Sequence, residues 1–185
     1  MPDIILDGRG KGNFRAGVNE ENQLLTLSTT IAHQHFSAHR KRTFFTIVRQ
    51  TPSAPNTPFL YIKNNSVLHD MTIWSVRFKV NSVETIEMHG PIVGTVSGST
   101  VTPVNVYIGS GVVADATTLS ANALTGITSS GTLIRRYSVP ADNLTHEFQL
   151  MSGIIIPQGT AIAYYAVSGS IQIDIDITLD FHLPL

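Results

Sequence analysis

The sequence contains no cysteine, so neither disulfide bonds nor thiolate metal sites can stabilise the fold. Charge is also scarce: charged residues make up 14% of the 185 residues, against about 25% in typical soluble domains. The formal net charge of -1 argues against the broad positive surface of a protein that binds nucleic acid or anionic membrane. A surface with so few charges favours burial against other protein subunits.

Long apolar runs and helical spacing are missing as well. No apolar run approaches the ~20 residues of a membrane span, and the start, Met1-Pro2-Asp3-Ile4, lacks the basic and long apolar segments of a signal peptide. The sequence therefore predicts a protein made in the cytoplasm, without a membrane partner. No stretch shows sustained i, i+3, i+4, i+7 apolar spacing, which argues against a helical or doubly wound fold.

What the sequence has is strand patterning. After Gly169, the odd positions from Ile171 to Phe181 are apolar and the even positions from Gln172 to His182 are polar. A period of two predicts one long strand with a single core face. Alternating or β-branched segments separated by turn residues predict further strands at 43–48, 59–63, 71–80, 83–88, 147–156 and 160–167, and one within 101–108 that Pro103 interrupts.

Other segments are less regular. Three prolines in Thr51–Pro58 predict an exposed loop, because proline has no amide hydrogen to donate within a sheet. Gly94–Gly98 predicts a turn, and the small, polar segment Ala114–Ser130 allows one short helix. Trp74, the only tryptophan, is expected to pack in the core.

Roughly eight strands separated by turns predict an all-β fold, a jelly-roll-like antiparallel β-sandwich with an extended N-terminal arm. The arm and linker are predicted to span residues 1–42 and the sandwich residues 43–185. The arm has few apolar residues for its length. A segment that cannot bury its own surface commonly docks on a neighbouring subunit.

A histidine motif is the strongest candidate for a chemical site. His33, His35 and His39 form H-x-H-x3-H, and histidines two apart on a strand point to the same face. The spacing resembles the metal motif of cupins, which are jelly-roll proteins. Pro157-Gln158-Gly159 matches the turn of the second cupin motif, but Ile162 stands where its histidine belongs. We therefore predict surface or interface histidines, and no metal or other cofactor.

Other clusters also give no catalytic prediction. Asp174, Asp176 and Asp180 share one face of the last strand, where charges keep the outer surface soluble and discourage edge aggregation. The glycines of Gly8–Gly12 lack the following helix that a phosphate-binding loop needs. The basic patch Arg40–Arg42 offers too few phosphate contacts for nucleic acid, and suits an acidic protein surface equally well. We therefore predict that the protein is not an enzyme.

Two segments carry a resemblance to a known class of protein. The amino-terminal run Ile4–Asn13 has the pattern of a short hydrophobic strand followed by D-G-x-G-x-G-N, and Val18–Leu24 follows it as V-n-x-x-n-x-L. Phe59–Asn64 matches an aliphatic-x-I-K-N strand. Together they resemble small virion structural proteins of tailed bacteriophages. The resemblance covers about a quarter of the chain and implies a virion component.

Within that class, the leading hypothesis is a homotrimeric head decoration or cement protein that binds the major capsid protein on the capsid surface. A compact sandwich with an arm suits a clamp at lattice junctions. The arm is predicted to add a strand to a neighbouring sheet edge and to meet an acidic capsid surface. The residues assigned to these two contacts are Ile4, Ile5 and Leu6 for the strand, and Arg9, Lys11 and Arg15 for the acidic surface.

Two alternatives stay open. A tail or fibre-associated host-attachment module would bind glycans through exposed aromatics, for which the candidates are Tyr61, Tyr107, Tyr137, Tyr164 and Tyr165. A weaker alternative is a cupin-like metal-binding protein that uses the three histidines.

Overall fold

The computed structural model describes residues 17–18, 24–25 and 41–182. The chain divides into two compact units, Met1–Ala32 and His33–Leu185. In the first unit, β1 (Gly17–Val18) pairs antiparallel with β2 (Leu24–Leu25). The second unit contains the sandwich, whose first strand begins at Thr43.

The described part of the second unit is built from strands, with no helix. The strands are β3 (Thr43–Gln50), β4 (Thr57–Asn64), β5 (Asp70–Val80), β6 (Glu84–Gly90), β7 (Val93–Thr100), β8 (Val104–Asn105), β9 (Ala116–Ser129), β10 (Thr132–Val139), β11 (His146–Ile156), β12 (Ala161–Ala166) and β13 (Ile173–His182).

Two antiparallel sheets form the sandwich, in the orders β10-β6-β12-β4-β9-β7 and β11-β5-β13-β3-β8. The segment between β6 and β10 contributes β7 and β9 to the edge of the first sheet and β8 to the edge of the second. The remaining orders are β10-β6-β12-β4 and β11-β5-β13-β3. Successive strands from β3 to β6, and again from β10 to β13, alternate between the sheets. This is the strand order of a jelly roll. The predicted all-β, jelly-roll-like sandwich is therefore confirmed.

The core lies between the two sheets. On β13, every odd position from Ile173 to Phe181 is buried, as the period-two pattern predicted. At the centre, the Phe78 ring lies 5.0 Å from the ring of Tyr137 and 6.3 Å from that of Tyr164, measured between centroids. Such tilted and edge-on contacts are the favoured geometry of aromatic pairs.

The hydroxyls of Tyr137 and Tyr164 are buried in this aromatic cluster without a hydrogen-bond partner among the described residues. Burial raises the pKa of Tyr137 to about 12. We expect Tyr164→Phe to raise the free energy of unfolding by about 1 kcal/mol, because it removes a buried polar group that gains nothing in the folded state. Urea denaturation will measure the change. A loss of stability would reveal a bonded hydroxyl, and Tyr61→Phe is the control.

The segment between β6 and β10 corrects two predictions. Gly94–Gly98, predicted as a turn, lies within β7, and Ala114–Ser130, predicted to allow a helix, contains the long strand β9. The glycines lie in strands here because the backbones of β7 and β9 approach each other closely. A Cβ atom on Gly126, whose φ is +79°, would lie 1.9 Å from the carbonyl oxygen of Thr95. Glycine therefore serves here to bring two strands together, with an irregular register.

Two further expectations are wrong in detail. Trp74 is only half-buried, and its Nε1 donates a hydrogen bond to Oδ2 of Asp180 at 3.4 Å. The register of β5 shifts opposite Thr178 and Leu179, at the position of Trp74. Ile73 and Val76, on either side of the shift, are therefore the buried residues. Pro58 lies within β4 and not in the preceding loop, and it pairs next to a register shift, where a missing amide donor is tolerated.

Candidate functional site

One end of the sandwich carries an apolar cleft, and Asn64 fixes one of its walls. This fully buried side chain ends β4; its Nδ2 donates hydrogen bonds to the carbonyl oxygens of His69 at 2.9 Å and Ile156 at 3.0 Å. Its Oδ1 accepts from the amide of Ser66 at 3.0 Å. All three bonds of the carboxamide end on backbone groups, so Asn64 ties the loop at residues 65–69 to the end of β11.

Ser66 then shapes the tip of that loop. Its Oγ accepts hydrogen bonds from the amides of Leu68 at 3.3 Å and His69 at 3.1 Å. Because these bonds close a tight turn, the two aliphatic side chains between them face outward. Val67 is 80% exposed and Leu68 is 64% exposed.

The inserted segment after β8 forms the opposite wall. Asn105 donates from Nδ2 to the carbonyl oxygen of Lys41 at 2.8 Å, and the carbonyl oxygen of Asp115 accepts from the amide of Asn65 at 2.9 Å. These contacts anchor both ends of a stretch that presents Val112 and Val113 to solvent.

Between the two walls lies a cleft of about 320 Å³. Phe44 and Phe181 form its floor, with ring centroids 5.7 Å apart and an edge-on geometry. The volume is within the range of about 300–1,000 Å³ that is usual for binding pockets. The remaining lining residues are Lys41, Arg42, Ser66, Val67, Leu68, His69, Val112, Val113 and Asp115.

The polar rim of the cleft has a positive balance. Burial lowers the pKa of His69, the nearby Arg42 and His182 lower it further, and Asp115 opposes them. The His69 imidazole is therefore mostly neutral at pH 7. Among the described residues that line the cleft, the remaining charges are the cations of Lys41 and Arg42 and the carboxylate of Asp115.

The three aspartates of β13 do not form a common site. Asp174 is held by Arg49 through bonds of 2.6 and 2.8 Å, and Asp176 lies 3.5 Å from Arg77. Asp180 is fully buried and accepts a hydrogen bond of 3.5 Å from Thr43. Within the described ranges, no group of three or more histidine, aspartate or glutamate side chains is placed to hold a metal ion.

Asp174 and Asp176 have pKa values shifted in opposite directions. The hydrogen bond from Arg49 holds the pKa of Asp174 below its ordinary value, whereas burial raises the pKa of Asp176. The first carboxylate therefore stabilises the fold above the ordinary aspartate pKa of 3.8, and the second costs stability there.

At pH 7, we expect Asp174→Asn to lower and Asp176→Asn to raise the free energy of unfolding, each by ~0.5 kcal/mol, since both sites are partly exposed. Thermal melts of the two variants at pH 7 and at a pH below the lowered pKa of Asp174 will check the signs. Both differences are expected to disappear at the lower pH. Shifts of the same sign at pH 7 would contradict this assignment.

The predicted site residues of the amino-terminal segment lie outside the described residues. They are His33, His35 and His39 of the histidine motif, and Ile4, Ile5, Leu6, Arg9, Lys11 and Arg15 of the arm. Their roles stay predictions. Of the basic patch, Lys41 and Arg42 are described, and both lie at the rim of the cleft.

The candidate glycan-binding tyrosines are mostly inside the protein. Tyr61, Tyr137 and Tyr164 are buried and Tyr165 is half-buried, while Tyr107 is 47% exposed. The Nζ of Lys41 lies 5.2 Å from the centroid of the Tyr107 ring. An aromatic platform made of several of these tyrosines is therefore not formed.

Sequence reasoning missed the walls of the cleft. The available signal was two pairs of adjacent aliphatic residues, Val67-Leu68 after Ser66 and Val112-Val113 after Gly111. Adjacent aliphatics fit no period-two pattern, because one of them must point away from the core.

No protein-family model matches the sequence, and no curated protein or solved structure is significantly similar to it. Within the part of the chain that the structure describes, no helix is long and apolar enough to cross a membrane.

Proposed function

We propose that this chain is a virion structural protein of a tailed bacteriophage, a decoration or cement protein that binds and stabilises the lattice of the major capsid protein. The observation that carries the proposal is the aliphatic surface at the cleft end of the sandwich. Exposed apolar patches rimmed by polar residues are typical of protein interaction sites. The exposed aliphatic residues there are Val67, Leu68, Val112 and Val113.

The jelly-roll order and the low charge support the same proposal. Jelly rolls occur in viral capsid and lectin domains and in cupins, so the fold agrees with a capsid role without requiring it. A homo-oligomer, with a trimer as the leading hypothesis, would bury further apolar surface. Candidates are Leu133 and Ile134 of β10 and Ile155 of β11, which are 41%, 44% and 48% exposed.

The experiment adds purified protein to phage heads that lack it. Saturable binding and a higher temperature of head disruption are expected. Val113→Asp is expected to weaken binding at least about tenfold, because a charged group would be buried in the contact. Val83→Asp is the matched control, since Val83 is 66% exposed in the short turn between β5 and β6. Heads that neither bind the protein nor gain resistance would refute the cement role.

A tail-associated glycan-binding module is the second candidate, and Tyr107 with the neighbouring Lys41 is the observation that favours it. Binding of the isolated protein to host cells, lost in Tyr107→Ala, would replace the cement proposal with this one.

A further inference from the structure

We propose that the cleft docks an extended peptide segment of the partner protein, in which aliphatic side chains flank a carboxylate side chain. This inference rests on the proposed function for its partner, and it names the chemistry by which that partner is recognised.

The apolar floor and walls of the cleft favour aliphatic side chains in the ligand. Phe44 and Phe181 offer two aromatic surfaces at the bottom, and Leu68 and Val112 flank them from the two loops. Moving apolar side chains from water into such a lining is favourable in proportion to the area that is buried. An all-polar peptide would instead lose hydration without finding enough hydrogen-bond partners.

The charged residues at the rim determine which charge the bound peptide can carry. The described lining contains two cations, Lys41 and Arg42, and one acidic side chain, Asp115, and the lowered pKa of His69 leaves that ring mostly uncharged at neutral pH. The cleft is therefore complementary to a carboxylate and repels a cation. Nucleic acid is disfavoured because two cations beside an aromatic floor provide few phosphate contacts.

The exposed wall tips favour a peptide over a small amphiphile. Val67 and Val113 line the cleft, but they are 80% and 73% exposed, so most of each side chain faces solvent. A fatty acid in the cleft would leave these tips in water. A peptide that runs across both loops covers them, and it also explains why two loops anchored by hydrogen bonds hold aliphatic residues in solvent.

The test uses the isolated, full-length protein and a fluorescent peptide with three leucines around one aspartate. The comparison ligands are the same peptide with lysine for aspartate, and decanoate. Fluorescence anisotropy is expected to show saturable binding of the aspartate peptide, at least about tenfold tighter than of the lysine peptide. Arg42→Glu is expected to reverse this preference, and Lys79→Glu, a charge reversal at an exposed site outside the cleft, to leave it unchanged.

Leu68→Asp is expected to abolish peptide binding, with Val83→Asp as the control for an equally exposed aliphatic residue. Melting temperatures establish that each variant is folded. Absence of saturable binding, equal affinity for the two peptides, or binding of decanoate alone overturns the proposal. If Leu68→Asp disrupts self-association while no peptide binds, the cleft belongs to a second copy and the proposal is also overturned.

Failure here is distinguishable from failure of the proposed function. The peptide experiment needs no phage heads, and the head-binding experiment needs no peptide. Heads that bind the protein normally after a negative peptide result would leave the cement role intact and remove only the cleft assignment.

Discussion

Replacing Asn64 by alanine is expected to lower the free energy of unfolding by about 3 kcal/mol. The carboxamide satisfies the carbonyl oxygens of His69 and Ile156 and the amide of Ser66, in a site with no exposed surface. Leaving a buried polar group without its partner costs about 1–3 kcal/mol, and partial entry of water offsets part of the sum. Asn64→Asp is expected to cost more, because a carboxylate would face two carbonyl oxygens.

Asn65→Ala is the matched control for this change. The side chain of Asn65 is exposed and makes a single hydrogen bond of 2.8 Å, from Nδ2 to Oγ1 of Thr117, so a loss below ~1 kcal/mol is expected. Chemical denaturation of both variants gives the two values directly. Equal losses would mean that Asn64 does not tie the loop to β11. Because that tie sets one wall of the cleft, Asn64→Ala should also weaken any ligand bound there.

Gly126→Ala is expected to give the other large effect, a loss of about 3 kcal/mol or detachment of β7 from β9. The added methyl would meet the carbonyl oxygen of Thr95 at 1.9 Å, so the strands would have to separate. The positive φ of +79° adds the usual strain of about 1–2 kcal/mol for a side chain in the left-handed region.

Gly159→Ala separates the two contributions. Its φ of +71° is similar, but no described residue other than its chain neighbours has an atom within 4 Å of the added Cβ. It should therefore show the backbone strain without the clash. Hydrogen exchange will locate the damage: faster exchange confined to β7 and β9 in the Gly126→Ala protein supports the close approach. Equal losses in the two variants would argue against it.

The sequence predicted most of the jelly-roll strands because their β-branched and aromatic residues alternate. β13 is the clearest example, since its alternation runs through its whole length and places one face in the core. β10 gave no such signal, because Leu133 and Ile134 are adjacent and both exposed. Trp74 was wrongly predicted to lie in the core, because a register shift exchanges the buried and exposed faces of β5. No local sequence pattern predicts such a shift.

The candidate site was harder to predict than the fold. The basic patch was recognised, and Lys41 and Arg42 do lie at the cleft. The aliphatic walls of the cleft were not recognised, because their positions depend on hydrogen bonds between segments that are distant in the sequence. The Asn64 side chain bonds the carbonyl of Ile156, and the Asn105 side chain bonds that of Lys41. Such long-range pairings cannot be inferred from the spacing of residues along the chain.

The place of β13 between β3 and β5 has a consequence during translation. β3 is among the first sandwich strands to emerge from the ribosome, yet its partner β13 emerges after more than a hundred further residues. Until then, β3 and β5 both expose unpaired backbone along apolar segments, the situation in which nascent chains aggregate. Folding of this sandwich is therefore completed late and slowly, and chaperones that shield nascent strands should increase its yield.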